Sequence, residues 1–209
     1  MDPSAIASLL EPYVTGLTSA QLAQISAYLE LLLRWNARMN LTAVRAPEHI
    51  VTRHFGESFF AARCLLPASR AIDVGSGAGF PGLAMKIHAP DLPLTLVESQ
   101  NRKATFLKEV VRTLDLRDVQ VFAGRAQDLT ASAELVTLRA VERFRSVLPV
   151  AAGLADSGGR LALLISATQV KEARNVLPDL SWSTPVDIPG SERRVLLTAL
   201  KPEASLTRK

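Results

Sequence analysis

The chain has 209 residues, 48% of them hydrophobic and 21% charged, with a formal net charge of +4 and an isoelectric point near 9.6. That is the profile of a globular soluble protein of one domain plus an extension, and the mild positive charge permits an acidic partner such as nucleic acid without establishing one. It excludes an intrachain disulfide, because Cys64 is the only cysteine, a structural zinc site, because histidine and cysteine are too few and scattered, and a membrane span, because no run of ~18 uncharged apolar residues occurs. Met1-Asp2-Pro3-Ser4 lacks the basic region of a secretory signal, and the single cysteine fits a reducing, cytoplasmic compartment.

A short helix is expected over 5–13. Thr18-Ser19-Ala20-Gln21 has the pattern of a capping box, and Leu22, Ile25, Leu29 and Leu32 recur at helical spacing, so a second helix runs to about Asn36. Trp35 belongs with helix packing rather than base stacking. Pro47-Glu48 suits a helix start, and that helix should continue to Leu65, before Pro67. Cys64 within it is read as a small buried hydrophobe. Residues 1–66 thus form a helical extension.

From Arg70 onward strands and helices alternate. Strands are expected at 71–74, 94–98, 119–122, 135–139, 161–165, 181–188 and 193–200, and helices at 81–88, 102–114, 143–155 and 168–177. Such alternation argues a parallel sheet covered on both faces. The last two strands are separated only by Pro189-Gly190-Ser191, which reads as an antiparallel hairpin. The α/β core then spans 67–202, a mostly parallel seven-stranded sheet, and 203–209 is expected to be a disordered tail.

The most informative stretch is Asp73-Val74-Gly75-Ser76-Gly77-Ala78-Gly79-Phe80-Pro81-Gly82, a glycine-rich turn between an apolar strand and an amphipathic helix. Glycines admit positive φ and close approach of a ligand, and the helix start offers N–H groups to it. A dinucleotide fingerprint would place a third glycine where Phe80 stands. Glycines at 75, 77 and 79 with Asp73 two residues ahead instead resemble the first motif of S-adenosylmethionine methyltransferases. Glu98 ends the next strand, about 20 residues on, where a carboxylate reaches ribose hydroxyls.

Further segments carry a closer resemblance. Arg34-Trp35-Asn36 with Met39-Asn40-Leu41-Thr42, Arg53-His54-Phe55 with Ser58, the loop from Asp73 to Gly82, Glu98-Ser99 with Lys103, Gly124-Arg125-Ala126 and Val136-Thr137-Leu138-Arg139-Ala140 together resemble the bacterial GidB/RsmG family. That family methylates N7 of a guanine in 16S ribosomal RNA near the decoding site. The likeness runs over 22–200.

The resemblance implies a class I SAM-dependent methyltransferase fold, Rossmann-like, with S-adenosyl-L-methionine as cofactor and 16S rRNA, in the small ribosomal subunit or an assembly intermediate, as partner. Cofactor contacts would fall on Gly75, Gly77, Gly79, Phe80, Ala126, Gln127 and Arg139, with Glu98 on the ribose and Asp73 orienting the loop. Arg139, Asn40 and His54 would line the catalytic target side, and Arg53, Lys103 and Arg125 would contact RNA. The chain departs from the family at Gln127, where Glu is usual, and at Ile165-Ser166, where a lysine-glycine pair is common. Its last residues, 201–209, do not match the family's basic tail.

Other readings of the same residues stay open. Asn40 also suits a helix-end cap, His54 a packed residue, Arg53 a surface charge, Arg139 a strand-end ion pair and Lys103 a solvated helix position. Guanine N7 carries an in-plane lone pair and no proton, so no general base is required, and alignment is the main contribution. Carbon-5 cytosine methylation needs a cysteine nucleophile, which Cys64 does not suit. A nicotinamide oxidoreductase shares the fold logic but fails at Phe80. A non-catalytic RNA-binding module with a vestigial pocket is the remaining alternative. A monomer is expected, with no metal.

Overall fold

The computed structural model describes residues 1–141 and 143–203; of the tail expected at 203–209, residues 204–209 lie outside the described residues. Helical segments come first: α1 (Pro3–Leu10), α2 (Ser19–Met39), α3 (Pro47–Ile50) and α4 (Glu57–Leu65), with a π-helical turn, Val51–Gly56, joining the last two. The alternating part follows as β1 (Ala71–Val74), α5 (Gly82–His88), β2 (Leu94–Glu98), α6 (Asn101–Thr113), β3 (Val119–Ala123) and β4 (Ala133–Arg139). It closes with α7 (Phe144–Gly153), β5 (Ala155–Ser166), α8 (Val170–Val176), β6 (Ser181–Trp182), β7 (Val186–Asp187) and β8 (Arg194–Leu200).

The strands form one sheet in the order β3-β2-β1-β4-β5-β8-β6, with β7 also paired to β8. β1 to β5 run parallel, and β8 enters antiparallel between β5 and β6. The direction of winding reverses between β1 and β4, which is where open α/β sheets form a ligand crevice beyond the carboxyl ends of the strands. Those ends carry Val74-Gly75, Glu98 and Arg139.

Side chains alternate across the pleat as a two-sided sheet requires. Leu135, Ala162 and Leu164 face one core, shared with Ile25, Leu29, Phe55 and Phe59 of the helical extension and with Leu83 and Phe106. Ile72, Val74, Val136, Leu138, Leu161 and Leu163 face the other, covered by Leu148 and Ala151 of α7. The extension is therefore a layer of the molecule rather than an appendage.

Local chemistry explains the element ends. Thr18 and Gln21 form the reciprocal capping box at the start of α2, and Asn40 ends it in the left-handed conformation, φ 49°, which asparagine tolerates better than most residues. Three expectations need correction. The single helix expected over 47–65 is broken by the π-helical turn. The strand expected over 181–188 is two short pieces, because Pro185 has no N–H for the ladder and the chain crosses instead through Ser183, whose N–H donates to the Thr198 carbonyl at 2.9 Å. Eight strands result where seven were expected. Cys64 is exposed, because α4 turns Phe59, Ala61, Ala62 and Leu65 inward and leaves Arg63 and Cys64 outside.

α5 lies close against the sheet because Gly82 has no side chain. A Cβ there would meet Leu96 Cδ2 at 2.7 Å and Asp73 Cβ at 2.9 Å. Gly82→Ala is expected to cost about 1–3 kcal/mol in urea denaturation. Gly153→Ala, where a Cβ meets nothing within 4 Å, is expected to be neutral or stabilising by up to ~1 kcal/mol. Equal effects would contradict the close helix–sheet contact.

Candidate functional site

The glycine loop leaves β1 and is held from several sides. The Gly75 and Ser76 N–H groups both donate to the Val97 carbonyl, at 2.9 and 3.0 Å, and Gly77 N–H donates to Glu98 Oε2 at 2.9 Å. The Tyr28 hydroxyl, from α2, donates to the Ala78 carbonyl at 2.5 Å. Gly75, Gly77 and Gly79 all have positive φ, at 69°, 55° and 90°. A Cβ on Gly79 would lie 2.2 Å from the Tyr28 hydroxyl, while one on Gly77 would meet only the Gly75 carbonyl, at 3.7 Å. Gly79 is thus a packing glycine, and Gly77 keeps the loop surface bare.

Asp73 is 1% exposed and acts below the loop. Thr137 Oγ1 donates to one of its oxygens at 2.7 Å and Gly82 N–H to the other at 3.3 Å. Burial raises its pKa to about 6 despite these donors. It ties β1, β4 and the first turn of α5 together.

Glu98 is buried at the end of β2, and its other oxygen accepts from Gln100 N–H at 2.7 Å. A carboxylate has about four acceptor sites, so two remain for hydroxyl donors. Ala126 and Gln127 form a 3-10 turn after β3, half-buried and exposed respectively.

Phe80 was expected to touch the cofactor. Its ring is 7% exposed and lies between Tyr28 (centroids 5.3 Å apart, 3° between planes) and His54 (5.2 Å, 23°), with Phe55 edge-on at 4.9 Å. Its side chain secures the loop to the helical extension.

Arg139 turns toward that extension too. Its Nη2 donates to the Arg53 carbonyl at 2.7 Å and to Glu57 Oε2 at 3.1 Å, and approaches His54 Nδ1 at 3.2 Å. Arginine can only donate, so Nδ1 is the acceptor. His54 Nε2 therefore carries the proton and donates to Thr42 Oγ1 at 2.7 Å. Burial, reinforced by Arg139, Arg53 and Arg194, drives the His54 pKa down to about 3. His54 is neutral, with both nitrogens engaged.

The sequence reading missed Glu57, 2% exposed, which pairs with Arg139 on one oxygen and with Arg194 on the other at 2.5 Å. A lone acid in the apolar run of α4 was the available signal. Asn40 is exposed and accepts from Arg45 Nη2 at 2.6 Å, beside its role as helix cap. Arg53 and Arg125 are exposed and Lys103 is half-buried on α6, so the structure brings Arg53, His54 and Arg139 together but leaves Lys103 and Arg125 on other elements. Ser166, in the lysine-glycine position, caps the following 3-10 turn with Gln169. Trp35 packs edge-on to Phe106 and donates to Glu109.

Two outcomes follow from these buried charges. Unfolded histidine titrates near 6.5 and folded His54 near 3, so between those values only the unfolded chain gains the proton. Stability from this group is complete above 6.5 and falls on acidification by up to about 1.4 kcal/mol per pH unit. Asp73 has the opposite sign: its folded pKa, about 6, exceeds its unfolded 3.8, so the native state gains stability as pH falls through that window. His54→Gln should therefore lose less stability than the parent between about pH 7 and about pH 4 in urea denaturation, and an equal loss would remove the assignment. Glu57→Ala should cost about 3–5 kcal/mol, because two guanidiniums lose their carboxylate, whereas Asp156→Ala, at the exposed Arg70 pair, should cost about 1 kcal/mol or less.

Comparison with known proteins adds to this geometry. A family profile described as GidB, rRNA small subunit methyltransferase G, matches residues 21–184. A protein named ribosomal RNA small subunit methyltransferase G from Roseiflexus castenholzii is 41% identical over 202 residues, covering 88% of this chain and 85% of the relative. One of the same name from Chloroflexus aggregans is 40% identical, covering 90% and 86%. Among solved structures, a ribosomal protein L11 methylase from Lactobacillus delbrueckii subsp. bulgaricus superposes with a TM-score of 0.59 at 14% identity, covering 73% of this chain and 79% of that one.

Proposed function

Because this chain belongs to the rRNA small subunit methyltransferase G family, we propose that it transfers a methyl group from S-adenosylmethionine to N7 of a guanine in 16S rRNA near the decoding site. The observation that carries the reading is the bare glycine loop over the strand ends, flanked by a Glu98 carboxylate with acceptor capacity left and by a neutral histidine. No helix among the described residues is long and apolar enough to cross a membrane, and we take the protein to act as a cytoplasmic monomer.

The residues present fit the cofactor. Gly77 leaves room where a side chain would stand, Gly75 turns with positive φ against the Val141 side chain, which a Cβ would meet at 2.9 Å, and Glu98 can accept from a ribose diol. Gln127 and Ala126, following β3, suit the purine end; Gln127 offers both a donor and an acceptor, so the absence of the family's usual Glu removes a charge and not a hydrogen bond. When bound, S-adenosylmethionine supplies an electrophilic methyl group.

The protein's own contribution is placement. Guanine N7 offers a lone pair and releases no proton, so a neutral His54 with both nitrogens occupied is compatible with the chemistry and a general base is superfluous. We assign residues 67–202 to the donor and the extension, 1–66, to the target side through Asn40, Arg53 and His54. Arg139 acts as the positioning residue for the last two. Lys103 and Arg125 would meet RNA phosphates beyond the reacting nucleotide. Excluding water from this crevice strengthens electrostatic contacts to the charge that develops on the purine.

Mass spectrometry of 16S rRNA from a strain lacking the chain should reveal the loss of one 7-methylguanosine. Persistence of all of them would end the reading. In the purified protein, Glu98→Ala should weaken S-adenosylmethionine binding about 10- to 100-fold, equivalent to about 1.5–3 kcal/mol for hydrogen bonds to a charged group, as read by calorimetry.

A further inference from the structure

A cleft of about 550 Å³ lies behind the Arg53–His54 turn, within the ~300–1,000 Å³ range of small-ligand sites. Its walls include Arg45, His49 and Arg53 from the extension, Arg194 from the start of β8, and Tyr13, with Glu57 at the floor. We propose that this cleft is a phosphate subsite for an RNA nucleotide flanking the target guanosine; this rests on the rRNA methyltransferase reading above.

Charge is the first argument. Three guanidiniums face one carboxylate, and that carboxylate is already engaged. Arg194 donates to Glu57 Oε1 through Nε at 2.7 Å, and Arg139 takes Oε2 at 3.1 Å. Arg45 donates to neutral acceptors, Asn40 Oδ1 at 2.6 Å and the Asn36 carbonyl at 3.3 Å. Neither Arg45 nor Arg53 meets a carboxylate among the described residues. A concave, uncompensated cationic surface favours an anion, and the guanidinium fork matches phosphate oxygens.

Position is the second. The Arg53 carbonyl accepts from Arg139, and the next residue, His54, stacks on Phe80 of the glycine loop. One turn of chain thus contributes a wall to the cleft and a wall to the cofactor loop, so consecutive nucleotides of one strand can lie across it. Another cleft, about 390 Å³, opens at the starts of β1, β2 and β3, on the far edge of the sheet, and its Arg70 is held by Asp156.

The third is the fixity of the walls. Tyr13 is buried; a Cβ on Gly56 would meet its ring at 2.6 Å, and one on Gly190, in the β7–β8 connection, would meet its hydroxyl at 2.7 Å. Tyr13 thereby holds the π-helical turn and that connection at a set separation, so the cleft is built before RNA arrives.

The test compares the full-length protein with Arg45→Glu and His49→Glu. Methyl transfer from labelled S-adenosylmethionine to small ribosomal subunits is measured over a range of salt concentrations, with filter binding of the same RNA in parallel. Each variant should raise the KM for RNA about tenfold or more and flatten the dependence of log affinity on log salt by about one per lost phosphate contact. In His49→Glu, kcat and the affinity for S-adenosylmethionine should stay within about twofold. Arg45 also braces the end of α2, so His49→Glu, whose side chain has no hydrogen-bond partner among the described residues, gives the decisive readout if Arg45→Glu does not fold. A KM, RNA affinity and salt slope equal to the parent's in His49→Glu would overturn the subsite while leaving the methyltransferase reading intact. Failure of the parent protein to methylate any rRNA would overturn that reading, and filter binding would then still report on the cleft.

Discussion

The Phe80 ring lies face to face with Tyr28 of the long N-terminal helix and with His54 of the π-helical turn, while the Tyr28 hydroxyl reaches on to the Ala78 carbonyl. A three-layer aromatic stack with an internal hydrogen bond joins the helical extension to the one loop that must stay open over the sheet. Aromatic contacts of this kind add about 0.5–1.5 kcal/mol each beyond area burial. Loss of the stack would leave three glycines with positive φ to wander, since glycine has more backbone freedom to lose than any other residue. The loop's shape is therefore set by what lies behind it, and the helices before the sheet are part of the site.

Charge buried next to that stack carries the second constraint. Glu57, Arg139 and Arg194 come from three different segments; Glu57 and Arg139 are buried, and Arg194 reaches Glu57 from the partly exposed start of β8. Such clusters seldom raise net stability over an apolar equivalent, but a broken one is costly. What the cluster supplies here is geometry. Arg139 can point its guanidinium at Arg53, His54 and Glu57 only if the extension sits at one distance from the end of β4. The same arginine orients the His54 ring, and burial, reinforced by that arginine, keeps the ring uncharged beside the crevice.

Much of the architecture was legible because it rests on local rules. Glycine spacing after an apolar strand, the capping box at Thr18, the alternation of Leu135, Val136 and Leu138 and the Gly190 turn all act within a few residues. The π-helical turn was not legible, since nothing in Val51–Gly56 forbids an ordinary α-helix; the wider turn goes with the distant demands of Tyr13 on Gly56 and of Arg139 on the Arg53 carbonyl. Pro185 stood inside the stretch 181–188 that reads as one strand, and the break there emerged only from the pairing of Ser183 with Thr198. Cys64 was misjudged because helical stretches bury one face, and which face depends on the sheet they meet.

By itself, then, the sequence determined the order of strands and helices, the bare loop and the acid at the end of β2, all consequences of periodicity and backbone freedom over short spans. The tertiary structure alone decided that Phe80 turns into the aromatic stack, that Arg139 serves the extension, that Glu57 joins two arginines and that Arg45, Arg53 and Arg194 share a cleft. Those outcomes depend on contacts between residues up to 137 positions apart, and spacing along a chain carries no record of which distant side chains will share a low-dielectric space.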